Sequence, residues 1–325
     1  MTEPGASRSK SRLLEAAAVL AGAAIGAGLW YGHGREASAP AAVAAVTAMA
    51  QAVETGSSGV EKPAAAVAHP ATAPLLAAVQ AGSRIIAAGD HGVIVLSDDG
   101  GKTFRQARSV PTQAPLTSLS FVDPQQGWAA GHDGLILHTA DGGETWAIQR
   151  QDLDGDKPLF SVFFRDAGHG LAVGLFGTAV QTADGGKTWA PLAVESGEET
   201  DHHLYAIFGD GKPNLYIAGE GGLIYRSADA GASWSTVKTS NPGSFWAGLQ
   251  LRNGGLLAAG QRGHLFSSRD QGASWTELPS GTDQSLTSIM QDGYGTILVT
   301  GLAGTTLTST DNGENFKPQT RLDRT

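Results

Sequence analysis

From residue 75 onward the apolar residues come in short alternating runs, each closed by Gly, Asp, Pro or Ser. Residues 116–150 show the unit. Leu116 to Phe121 alternates as a strand, and Asp123-Pro124-Gln125-Gln126-Gly127 is turn chemistry. Trp128 to Gly131 reads as a second strand, closed by a tight Gly131-His132-Asp133-Gly134 hairpin. Leu135 to Thr139 is a third, and Trp146 to Gln149 a fourth after the turn Asp141-Gly142-Gly143-Glu144. Each run is too short for a helix and too small to bury its apolar face alone.

The unit recurs. GDHGVIVLSDDGGKTF (89–104), GHDGLILHTADGGETW (131–146), GLFGTAVQTADGGKTW (174–189), GEGGLIYRSADAGASW (219–234), GQRGHLFSSRDQGASW (260–275) and GLAGTTLTSTDNGENF (301–316) share one pattern, with leading glycines 42, 43, 45, 41 and 41 residues apart. A period near 40 built only of strands and turns predicts an all-β fold, a β-propeller with one four-stranded blade per repeat. The blades fall at 75–110, 116–150, 159–194, 203–239, 244–280 and 286–320, so six blades are expected over residues 74–320. A seven-bladed ring is the alternative. It would need a blade from the Ala-rich chain before residue 74, which has neither the repeat nor β-branched alternation. The ring is expected to close where Leu75–Val79 meets the Thr320 region.

The turn between third and fourth strands reads Ser/Thr-x-Asp-x-Gly-x-Thr/Ser-Trp/Phe, the Asp-box of bacterial-neuraminidase repeats. Its acids are Asp99, Asp141, Asp184, Asp229, Asp270 and Asp311. An Asp here accepts N–H bonds inside the turn, and the following glycine takes a positive φ. The closing aromatics, Phe104, Trp146, Trp189, Trp234, Trp275 and Phe316, are large enough to wedge between blades. Six carboxylates repeated identically around a ring are structural, not six metal or catalytic sites. The last box lacks the usual Thr and Trp, as a terminal blade would.

The N-terminus reads as targeting. Residues 1–12 form a basic segment carrying Arg8, Lys10 and Arg12, followed at 13–31 by a weakly polar, Ala- and Gly-rich stretch ending in Trp30 and Tyr31. Basic residues before an apolar helix keep the start in the cytosol and send the rest across a membrane. The segment is expected to be an uncleaved anchor. A cleaved signal peptide is the alternative, with Ala37-Ser38-Ala39 as a cleavage site spoiled by Pro40. Residues 32–73 are Ala/Pro-rich and read as a disordered tether. The propeller is then expected on the periplasmic side of a bacterial inner membrane.

Among 325 residues there is no cysteine, which removes thiolate metal sites, disulfides and cysteine nucleophiles. A net charge of −9 argues against nucleic acid as a partner. Asp152-x-Asp154-Gly155-Asp156 suggests a calcium loop but lacks the twelve-residue spacing and closing Glu, so a polar turn is the better reading. Adjacent His202 and His203 would point to opposite faces of a strand. The Gly-x-x-Gly pairs precede no helix and are not phosphate loops. No metal or cofactor is expected.

In a propeller the Asp-boxes share one face, and the Gly-x-x-Gly hairpins and inter-blade loops share the other. That second face carries the variable polar sequence and is the expected partner-binding surface, with His91, His132, Asp133, Leu175, Phe176, Glu220 and Arg262 as candidates. The axial strands read LLAAV, LTSLSF, LFSVFF, LYAIF, FWAGL and LTSIM. They hold no Arg and no acid, and no nucleophile–base set stands elsewhere, so no catalytic residue is assigned. The alternative function is a secreted Asp-box glycoside hydrolase or carbohydrate-binding propeller, acting through loop acids such as Glu220 or Asp133.

The repeat seen best in LFSVFFRDAGHGLAVGLFGTAVQTADGGKTW (159–189) resembles the photosystem II stability/assembly-factor-like propellers, which occur also in non-photosynthetic bacteria. The resemblance covers about 75–320. It implies a non-catalytic, membrane-associated or secreted propeller that docks on a membrane-protein complex as an assembly factor or accessory subunit. For the bacterial type it implies an association with export-type transporters. The photosynthetic members have seven blades and a basic docking patch. Here Arg226, Arg252 and Arg262 are spread over two repeats.

Overall fold

Each repeat folds as one sheet because its strands are short, antiparallel and joined by turns the sequence spells out. In the computed structural model, which describes residues 62–155, 157–195 and 201–320, six four-stranded sheets follow in chain order. Blade 1 comprises Leu75–Ala81, Arg84–Gly89, Ile94–Ser97 and Arg105–Gln106. The innermost strands of blades 2 to 6 are Leu116–Phe121, Leu159–Phe164, Leu204–Gly209, Phe245–Gln250 and Leu286–Gln291. The protein is an all-β, six-bladed propeller. The segments 1–12 and 13–31, and the tether up to residue 61, lie outside the described residues. No helix among the described residues is long and apolar enough to cross a membrane.

Strand alternation gives each blade two faces, and the core lies between blades. Ile86, Ala88, Ile94 and Leu96 of blade 1 pack on Leu116, Ala129, Leu137 and Trp146 of blade 2. Trp128 of blade 2 stacks on Phe164 of blade 3, centroids 3.5 Å apart. Hydroxyls of inner strands tie neighbouring blades together: Val162 N donates to Ser118 Oγ at 3.0 Å and Ile207 N to Ser161 Oγ at 3.1 Å.

One backbone bond recurs in every blade. The N–H after the first hairpin glycine donates to the carbonyl just before the inner strand: Asp90 to Pro74, His132 to Pro115, Leu175 to Pro158, Glu220 to His203, Gln261 to Ser244 and Leu302 to Ser285, all at 2.9–3.1 Å. That closeness explains the leading glycine. A Cβ on Gly174 would sit 2.0 Å from the Pro158 oxygen.

Two features differ from expectation. Each sheet is made of its own four consecutive strands, so Leu75–Ala81 and Lys317–Thr320 do not pair. The first is innermost in blade 1 and the second outermost in blade 6, which puts them at opposite ends of their sheets. Residues 62–73, read as the end of the tether, run across blade 1. Ala64 N donates to Val110 O and Ala65 N to His91 O, while Gln106 exchanges bonds with Val67 N and Ala65 O.

Candidate partner-binding face

The six hairpins share one backbone and differ in side chains. The third position of Gly-x-x-Gly lies in the left-handed region in every blade, with φ of 54° at His91, 59° at Asp133, 51° at Phe176, 61° at Gly221, 54° at Arg262 and 55° at Ala303. Glycine takes this conformation without strain and Asp tolerates it, whereas a bulky side chain costs about 1–2 kcal/mol there. Phe176 therefore holds an unfavourable backbone. Its ring gains little burial in return, being 55% exposed.

Below it stands an aromatic group that the sequence reading did not assemble. Phe176 N donates to His203 Nδ1 at 3.2 Å, and the two rings meet edge to face at 4.9 Å. His203 in turn meets Tyr205 at 6.0 Å, and Tyr205 stacks on Phe160 at 5.6 Å with planes 13° apart. His203 N donates to a Glu220 carboxylate oxygen at 3.1 Å. Phe160 and Tyr205 occupy the second position of consecutive inner strands. Around the ring that position reads Leu76, Thr117, Phe160, Tyr205, Trp246 and Thr287, so blades 3 to 5 put an aromatic arc on the inner strands where the other three blades carry leucine or threonine. This list was the available signal. Burial pushes the Tyr205 hydroxyl above its ordinary pKa, so it stays a neutral donor.

The other candidates are spread around the rim. His91 and Arg262 are exposed, while His132, Asp133, Leu175 and Glu220 are half-buried. His91 Nδ1 lies 3.0 Å from Asp90. Asp133 and Asp152 are joined by a backbone bond, Asp152 N to Asp133 O at 2.7 Å. Leu153 and Leu302, 58% and 46% exposed, share this face with Phe176, so three of the four exposed large hydrophobics among the described residues lie here. Asp152 accepts from Gly155 N and pairs with Arg150, which makes it a turn anchor, and Asp154 is exposed. Asp156 lies outside the described residues. No cluster of metal-ligating side chains stands among the described residues.

His202 and His203 do diverge. His202 Nδ1 sits 2.9 Å from Glu195 Oε1, which also accepts the Tyr225 hydroxyl. Burial, and then that carboxylate, push the Tyr225 pKa far up. The group holds blades 3 and 4 together behind the aromatic arc.

The opposite face is self-contained. Asp184 accepts from Thr188 N at 2.9 Å, from the Thr188 hydroxyl at 2.6 Å and from the Thr182 hydroxyl at 2.8 Å. Thr182 Oγ1 accepts Gly186 N in return. The bonds recur at Asp99, Asp141, Asp229 and Asp270, and at Asp311 an Asn315 amide replaces the hydroxyl. Trp146 and Trp234 donate Nε1 to the carbonyls of Gly143 and Gly231, Trp189 packs edge-on to Phe164, and Trp275 packs in the core between blades 4 and 5. Arg84 and Arg105 clamp Asp98 and Glu144 at 2.5–3.2 Å. This network joins blades 1 and 2, and sequence spacing gave no hint of it.

A family model for the photosynthesis system II assembly factor YCF48 matches residues 147–295. The Photosystem II assembly protein Ycf48 of Thermosynechococcus vestitus is 36% identical over 132 residues. Over this stretch the chain is similar to the photosystem II assembly-factor propellers. The aligned stretch is 41% of this chain and only 38% of that relative's length. A solved Ycf48 bound to a D1 peptide superposes with a TM-score of 0.61 at 19% identity, covering 75% of this chain and 82% of that one. Virginiamycin B lyase of Staphylococcus aureus superposes with a TM-score of 0.63 at 13% identity, covering 77% and 85%. These two likenesses show the propeller fold alone. The relatives matched in sequence are assembly factors rather than enzymes.

Proposed function

We propose that this assembly-factor-like propeller is a non-catalytic accessory or assembly subunit of a membrane-protein complex and grips its client with the hairpin face. In this reading residues 13–31 hold it at the periplasmic side of a bacterial inner membrane, and an export-type transporter is one such client. The observation that carries the proposal is Phe176, an exposed aromatic held in a left-handed backbone at the rim of an aromatic mouth. Strain kept at an exposed position is a mark of a working surface, and a rigid aromatic supplies much contact area at small entropic cost. The Ycf48 solved with a D1 peptide supports a membrane-protein segment as the class of partner. The uncharged inner strands support binding over hydrolysis, since glycosidic cleavage needs a carboxylate pair. A membrane tether would raise the effective concentration toward embedded clients.

The test is a mild-detergent pull-down of the full-length protein from its native membranes, repeated with Phe176→Ala. Co-purification of a membrane protein by the wild type, lost in the variant, is expected. Recovery of the propeller alone, or equal recovery by the variant, overturns the proposal.

A further inference from the structure

The chain shows on blade 1 how this ring holds an extended segment, and blade 5 repeats the holder. Over blade 1 the chain's own strap makes three bonds across one slot. Ala65 N donates to His91 O, Val67 N donates to Gln106 Oε1, and Gln106 Nε2 donates back to Ala65 O. His91 is the third hairpin residue, and Gln106 stands on the fourth strand opposite Val95. The strap passes close over the second hairpin glycine, since a Cβ on Gly92 would lie 3.4 Å from the Ala64 Cβ. A segment in this slot therefore needs small side chains.

Elsewhere the corresponding slot is closed by the blade's own residues. Asp133 O in blade 2 accepts Asp152 N, and Gly221 O in blade 4 accepts the Lys238 ammonium. In blade 3 Gly177 N donates to His202 O. In blade 5 no donor among the described residues reaches Arg262 O. There an open cavity of about 350 Å³ lies between the hairpin and the fourth strand, Thr276–Leu278, with Arg262, Gly263, His264, Glu277 and Thr282 in its lining. That volume is too large for a packing gap. The positions are those of the strap slot. Glu277 stands opposite Phe266 as Gln106 stands opposite Val95. Thr282 O lies against Gly263 as Thr112 O lies against Gly92, each 2.0 Å from where a Cβ would be.

We propose that the blade 5 slot binds an extended, uncharged peptide segment of small residues, supplied by the client. The source of the segment rests on the reading of the ring as a client-binding subunit. One peptide N–H donates to Arg262 O, and the N–H two residues on donates to Glu277 Oε2. His264 Nδ1 lies 2.6 Å from Glu277 Oε1 and steadies the carboxylate. The Glu277 carboxylate disfavours an acidic segment, and the exposed Arg262 guanidinium at the rim disfavours a basic one. Glutamate keeps the acceptor of Gln106 but lacks its amide donor. The visiting segment is thus held by two bonds where the strap has three, and it lacks the strap's covalent link, so it exchanges.

The probe is a fluorescein-labelled, C-terminally amidated peptide of residues 63–68, PAAAVA, flanked by glycines. Full-length protein is titrated into it and fluorescence anisotropy is read. Saturable one-site binding is expected. Glu277→Ala should weaken it at least ~tenfold, as loss of a bond to a charged acceptor does. N-methylation at the peptide's second alanine, the counterpart of Ala65, should weaken it as much. Arg262→Ala keeps the backbone carbonyl and should stay within ~twofold of wild type. Phe176→Ala should bind like wild type, so failure here and failure of the pull-down are told apart. No saturable binding, or equal binding by Glu277→Ala or by the N-methylated peptide, would overturn the proposal. So would loss of binding on Gln106→Ala alone, which places the peptide on blade 1. Self-association of the full chain that Glu277→Ala abolishes would give the slot to a second copy and overturn it as well.

Discussion

The two faces of the ring repeat their backbones equally faithfully but use side chains in opposite ways. In the Asp-box turns the conserved geometry consumes the side chain. All six aspartates accept bonds from their own turn, so each acid is spent on the loop that carries it. In the hairpins the geometry is made entirely by glycine and by a backbone bond to the residue before the inner strand. No side-chain bond is common to these turns, although Asp90, Glu220 and Gln261 each accept a backbone N–H, and the middle pair differs in every blade. A rigid scaffold whose turns need no side chains leaves those side chains available for a partner.

The largest effect should come from the closing aromatics. Trp146 is 5% exposed, packs with Ile86 and Leu96 of blade 1, and donates Nε1 to Gly143 O. Trp146→Ala is expected to cost on the order of 3–5 kcal/mol, read by thermal or denaturant unfolding. A change below ~1 kcal/mol would break the contrast, since the Asp-box side would then not hold the fold.

Acid should act next, and on the same face. Asp99 is held at about 2, first by Thr103 N and then by the Thr103 hydroxyl, and Asp270 is held at about 2, first by the Ser274 hydroxyl. An unfolded Asp titrates near ~3.9. A depressed folded pKa gives stability that is present above the unfolded value and is lost as pH falls through the folded one. The melting temperature should therefore stay flat from neutral pH to about 5 and drop between about 4 and 2. The Asp99→Asn, Asp270→Asn double variant should show a shallower acid drop from a lower plateau. An acid limb identical to wild type would remove these turns from the account.

Phe176 separates the faces most sharply. Substitution by Gly relieves the left-handed strain, worth about 1–2 kcal/mol, and gives up an edge contact with His203. Stability should be unchanged or raised, while partner capture should weaken at least ~tenfold, as for an anchoring aromatic. A clear fall in melting temperature with capture intact would make Phe176 a plug of the ring and not an anchor.

The glycine spacing and the Asp-box made the fold, the blade count and the blade limits readable, because each blade is local in sequence. What joins blades was not readable. Arg84 reaches Glu144 across 60 residues, and Glu195 meets Tyr225 across 30. Phe160 and Tyr205 become neighbours only because equal positions on successive inner strands circle one axis. Reading those strands for charge alone gave an empty channel. Reading one position through all six would have given the aromatic arc. The tether's last dozen residues were misjudged for a related reason, since their bonds to Val110, His91 and Gln106 satisfy backbone groups without any apolar period in the sequence.

The smallest effect should belong to Arg262. Its backbone N–H is held by Ser285 Oγ, while its side chain is exposed and makes no ion pair among the described residues. A rim charge of this kind steers encounter more than it holds a complex. Arg262→Ala should slow association by a factor of roughly two to five at low salt, with dissociation unchanged, and the difference should fade near ~0.5 M salt as screening shortens. Surface-captured full-length protein and its purified client give both rates in one experiment. If Arg262→Ala instead speeds dissociation as much as Phe176→Ala does, the binding centre lies over blade 5 rather than at the mouth between blades 3 and 4. The comparison of faces would survive, but the aromatic arc would lose its place at the centre of the hairpin side.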